Sequence, residues 1–173
     1  MSNVRLIGLT SIKIGDITNS KSMGAGASIA TVYAIVPDSA HLIFEVPGMT
    51  DLYIEESDIP DMQILGTAKK TLEFATRDMG TALLLEAFGG HATNTIWTAP
   101  VTSLVIQERC LEAISKSING KYLTIAIPRA SVKCGGDLRF AKTESGQVTF
   151  SCDVLIPASV TQISPMVITQ VVG

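Results

Sequence analysis

The chain has 173 residues, of which 17% are charged and 46% apolar, and its net charge is −3. This length supports one sizeable core, no linker-like stretch divides it, and no Lys/Arg stripe is present that could neutralise successive phosphates, which argues against tight nucleic-acid binding. Charge this far below the usual share of about a quarter predicts self-association, because charge is depleted where surfaces are buried against other chains.

No stretch approaches the roughly 18 apolar residues of a membrane helix, and 5% aromatic residues hardly supply the girdles of a membrane β-barrel, so no membrane insertion is expected. The opening "MSNVRLIGLTSIKIG" lacks the apolar core and cleavage site of a secretory signal, which predicts synthesis and retention in the cytoplasm. Cys110, Cys134 and Cys152 are an odd, widely spaced set in strand-like contexts. Such cysteines pack as small hydrophobes and form no disulfide framework.

In chain order, "IATVYAIV" (29–36) and "HLIFEV" (41–46) are β-branched and aromatic runs joined by "PDSA", the pattern of a hairpin. Residues 47–66, "PGMTDLYIEESDIPDMQILG", combine prolines, bounding glycines and the carboxylates Asp51, Glu55, Glu56, Asp58 and Asp61. They predict a long, partly extended excursion outside the core. "AKKTLEFATR" (68–77) alternates as a half-buried strand.

"RDMGTALLLEAFGG" follows and reads as a helix over residues 79–88, with Asp78 as its N-terminal acceptor and Gly89 and Gly90 supplying the closing backbone. Only Thr81 and Glu86 are polar within it. The apolar surface therefore exceeds the single stripe of a surface helix. Leu84 and Leu85 are adjacent and cannot both face one core, so one is expected to pack inside and the other against a neighbouring chain.

"TNTIWTAP" (93–100) is a short strand or loop. "TSLVIQERCLEAISKSI" (102–118) fits helical spacing in part, but the following Asn119 and Gly120 form a strong hairpin signal that makes it the partner of "KYLTIAI". Residues 137–156 predict a third hairpin turning at Ser145 and Gly146, with Val148, Phe150, Cys152, Val154 and Ile156 on one face. The tail is a last strand interrupted by Pro165, suited to a sheet edge. The sum is a mainly β single domain, an antiparallel β-sandwich or barrel with one flanking α-helix.

Catalytic and cofactor patterns are missing from the sequence. "SMGAGAS" (22–28) lacks the Lys-Ser/Thr of a phosphate loop, the acidic residues of 51–61 lack calcium-loop spacing, and His91 has no nucleophile elbow to serve. His41 and His91 are isolated from each other and from cysteine. No enzymatic activity, metal or cofactor is expected.

The succession "LIGLTSIKIGD", an acidic excursion, "TLEFATRDMGTALLLEAFGG", "IWTAP", "NGKYLTIAIPRA" and "VTFSCDVLIP" resembles the major tail tube proteins of long-tailed (siphovirus-like) bacteriophages. The resemblance spans nearly the whole chain through short motifs. It implies a β-sandwich with a flanking helix, assembled into homo-hexameric rings that stack into a tube. Genome DNA would pass through the lumen without specific binding. It further implies tape-measure, tail terminator and distal tail proteins as partners, and a place in the virion tail after assembly in the host cytoplasm. Leu84, Leu85 and Phe88 would meet a neighbouring subunit, and Leu52, Tyr53, Ile54, Met62 and Ile64 would order on ring stacking, with Glu55, Glu56 and Asp58 near polar partners or solvent. Because the chain stops at Gly173 after its last strand, no immunoglobulin-like decoration domain is expected. A neutral or mildly acidic lumen suits a conduit, since each cation facing DNA would add to its retention.

Two other readings remain. One is a tube subunit of a contractile injection or secretion machine. The other is a small β-barrel binding module for an apolar ligand.

Overall fold

A computed structural model describes residues 8–17, 29–53, 55, 59–101, 106–140, 145–157 and 164–172. The described elements are β1 (Leu9–Gly15), β2 (Ile29–Val32), β3 (His41–Phe44), β4 (Met49–Leu52), β5 (Met62–Leu65), β6 (Lys70–Thr76), α1 (Thr81–Phe88), β7 (His91–Thr93), β8 (Ile96–Thr98), β9 (Gln107–Ser115), β10 (Lys121–Phe140), β11 (Ser145–Val154) and β12 (Val167–Val172). The protein is mainly β with one helix, as its alternating patterns predict, and the large sheet is antiparallel without closing into a barrel.

The strand order β2-β1-β9-β10-β11-β6-β3 is set largely by hairpins, with β12 also paired to β10. Asn119 (φ 51°) and Gly120 (φ 76°) both take positive φ between β9 and β10, the backbone that a two-residue hairpin turn of matching twist requires. β10 is long enough to hold the sheet together. Its first half pairs with β12, its second half with β11, and a register slip between Ile127 and Ala130 separates the two halves along the β9 side. Pro128, which has no N–H to give, falls inside that slip.

Alternation decides what is buried. Ile12 and Ile14 on β1, Leu111 and Ala113 on β9, Ile127 on β10, and Val148, Phe150 and Cys152 on β11 turn to one core, which Leu72 and Phe74 of β6 complete. Phe74 and Phe150 are cross-strand partners with stacked rings, centroids 4.6 Å apart. Ile156 does not share that face: it lies beyond β11 and is 79% exposed.

Three expectations are corrected. Residues 29–46 are not a hairpin. β2 pairs with β1 and β3 with β6, at opposite ends of the strand order. Between them Ala34 (φ 50°) and Asp38 (φ 59°) turn the chain. The crossing is fastened to β6 by Val36 N donating to Ala75 O (2.8 Å), Arg77 N to Ala34 O (3.0 Å) and Ala75 N to Ser39 Oγ (3.0 Å). Ser39 thus serves the link between sheet ends rather than a turn between paired neighbours. The third hairpin does not turn at Ser145, which already pairs with Phe140 in the ladder, so its turn lies within residues 141–144, outside the described residues. The tail strand is not interrupted by Pro165 but begins after it, at Val167.

Candidate assembly surfaces

The excursion at 47–66 is ordered along much of its length. β4 and β5 pair with each other as a two-stranded ribbon. The ribbon continues the β3–β6 pairing outward: Glu45 N donates to Lys69 O (2.9 Å) and Gly66 N to Gly48 O (2.7 Å). Period-2 alternation and the register (Leu52 opposite Met62, Thr50 opposite Ile64) place Leu52, Met62 and Ile64 on one face of this arm. Met49, Leu65, Asp51 and Gln63 share the other, with Gln63 Nε2 donating to Asp51 Oδ1 at 2.9 Å. Every described residue of β4 and β5 is exposed, and Tyr53 beyond β4 is 59% exposed. Ile54, Glu56 and Asp58 lie outside the described residues.

The helix is shorter than its sequence pattern predicts. It starts at Thr81, with Gly80 at the N-cap and no side-chain cap. Asp78 Oδ1 accepts from Gly80 N at 2.9 Å, and Thr76 Oγ1 accepts from Asp78 N at 3.0 Å. Asp78 therefore shapes the approach to the helix instead of capping its first turn, because Met79 and Gly80 are spent on the bend out of β6. At the other end Gly89 (φ 69°) donates its N–H to Leu85 O at 2.8 Å, as expected of a closing glycine. At Gly90 (φ 90°) a Cβ would collide with the Thr98 carbonyl oxygen, so the β7–β8 hairpin closes on bare backbone.

The core face of α1 is Leu83 with Ala87, four residues apart, both buried. The expectation that Leu84 or Leu85 enters the core is corrected, since both are only half-buried. Phe88 is also half-buried, packs against the core and tilts on the Trp97 ring at 6.2 Å, while Trp97 Nε1 donates to Gly89 O at 2.8 Å.

A charged cluster missed by sequence pattern holds α1 to β9. The Arg109 guanidinium donates through Nε to Glu86 Oε2, lies 3.1 Å by Nη1 from Asp16 Oδ1, and donates by Nη2 to Gln107 Oε1 at 2.7 Å. Burial pushes the Glu86 carboxyl above its ordinary range, and the neighbouring Arg109 charge offsets this only in part. Glu86 is the one acid in an apolar helix, and a half-buried carboxylate requires a partner. That was the available signal, although nothing in the sequence named Arg109.

The cysteines are chemically quiet. Burial pushes the Cys134 thiol up to about 12 and Cys152 higher still, and it raises Cys110 as well, so thiolate is scarce at neutral pH. Among the described residues no three His, Cys, Asp or Glu side chains gather as metal ligands, and no helix is long and apolar enough to cross a membrane. A cleft of about 520 Å³ opens beside the start of β1, lined by Leu9, Ile35, Leu42, Leu72, Ala113 and Ile125 with His41 and Asp38 also on its wall. The chain matches no protein-family model and no curated protein.

Proposed function

We propose that this protein is the structural subunit of a bacteriophage tail tube, forming hexameric rings that stack around a lumen for genome delivery. The observation that carries the reading is the exposed arm. An isolated two-stranded ribbon is marginal in water, and this one bears Leu52, Met62 and Ile64 on a single uncovered face. Such a surface is suited to burial against another protein. The low charge content and the motif order, from the Glu73-Phe74 strand through the Phe88-Gly89-Gly90 helix end to Trp97, support the same reading.

Negative-stain imaging and light scattering of the concentrated protein test it. Rings or tubes with an open lumen are expected, and a monomer at every concentration and salt would overturn it. The apolar cleft favours one alternative, a binding module for an apolar ligand. A stable monomer that takes up such a ligand stoichiometrically would support that alternative.

A further inference from the structure

The arm and the remainder of the chain carry opposite charge. Six carboxylates and one lysine fall within residues 45–69, so the arm holds −5 of a chain whose total is −3, and the remaining residues carry +2. The cleft has the complementary character. Leu72, Ala113 and Ile125 are core residues, yet they line it, so an entering aliphatic side chain meets apolar walls. Lys116 is exposed next to the lining residue Ser115, and its N–H donates to the carbonyl of Gly8, another lining residue, at 3.2 Å. Lys121 follows across the Asn119 and Gly120 turn, where it bridges Ile118. Asp38, on the opposite wall, is the opposing charge.

We propose that the Leu52, Met62 and Ile64 face of one copy's arm seats on this cleft in a second copy, with Asp51, Glu55 and Asp61 beside its Lys116 and Lys121. Apolar burial supplies the attraction, and charge selects the orientation. Arm and cleft are different surfaces, so each copy both gives and receives. A contact of that kind propagates around a ring or along a filament instead of ending at a dimer. The inference rests on the tube-subunit reading and assigns the surface that receives the arm.

Charge reversal tests it in the full chain, read as the critical concentration for assembly. Lys116→Glu with Lys121→Glu, and separately Asp51→Lys with Asp61→Lys, should each raise that concentration about tenfold or more. The chain carrying all four changes should recover most of the loss, because the complementarity is restored with its sign inverted. Asp38→Asn should lower the critical concentration. Circular dichroism verifies that each variant is folded, and Lys116→Gln replaces any that is not. Assembly unaffected by the reversals, or four changes no better than two, overturns the docking site while leaving the tube reading intact. A parent chain that never assembles overturns both, and displacement of the arm requirement by an apolar small molecule in the cleft overturns the docking site in favour of a ligand pocket.

Discussion

Glu86 on α1 and Arg109 on β9 form an ion pair whose side chains are only 16% and 20% exposed, and it connects the helix to the strand that passes beneath it. The two groups do not balance. Burial acts on Glu86 more strongly than the Arg109 charge does, so its carboxyl titrates above the ordinary range.

Removing Arg109 therefore leaves a half-buried carboxylate uncompensated. Arg109→Met should cost about 1–3 kcal/mol at neutral pH, more than Glu86→Gln, which leaves Arg109 its contacts to Asp16 and Gln107. A raised acid pKa means that the native state binds a proton more readily than the unfolded chain does. This contribution thus favours folding as pH falls through the raised value and opposes it as pH rises. The Arg109→Met deficit should shrink in mild acid. Urea unfolding across that range checks the sign, and a deficit that grew in acid would contradict the assignment.

Substitutions in α1 should separate by face. Leu83→Ala should cost about 2–5 kcal/mol by emptying a core position. Leu84→Asp and Leu85→Asp, at half-buried positions, should leave a folded subunit that assembles poorly. Thermal melts paired with light scattering distinguish the outcomes, and loss of folding in both aspartate variants would remove the intersubunit role of these leucines.

The arm should be dispensable for folding. Replacing residues 47–66 by a tight turn should preserve the melt and abolish tube growth, since β4 and β5 pair with each other and contribute no residue to the core. Ordering the tip costs about 1–2 kcal/mol per residue, which burial on assembly must offset. Amide exchange in the arm should be fast in monomer and slow in assembled protein, and equal rates in the two states would tie the arm to its own subunit.

The β9–β10 turn offers a test of the fold alone. Gly120→Ala places a Cβ at φ 76° and should destabilise the chain by about 1–2 kcal/mol without changing assembly of the folded fraction. A denaturant midpoint unchanged from the parent would show that the turn does not hold the positive-φ backbone.

Much of the strand inventory follows from local chemistry. The Val148, Phe150 and Cys152 alternation, the Asn119 and Gly120 turn, and the closing glycines of α1 act over a few residues, so their physics is present in the sequence. The separation of β2 from β3 was not legible. The "PDSA" segment has turn residues, but its Ser39 is engaged by Ala75 on a strand far along the chain, and only the closing of the sheet brings the two together. The same holds for the core face of α1: three consecutive leucines look equivalent until the sheet beneath selects Leu83. Glu86 and Arg109, 23 residues apart, meet for that reason too, because the helix folds back over β9. Periodicity and turn chemistry are properties of neighbouring residues, whereas partners across the sheet are chosen by which apolar faces can be buried together, and that choice belongs to the whole chain.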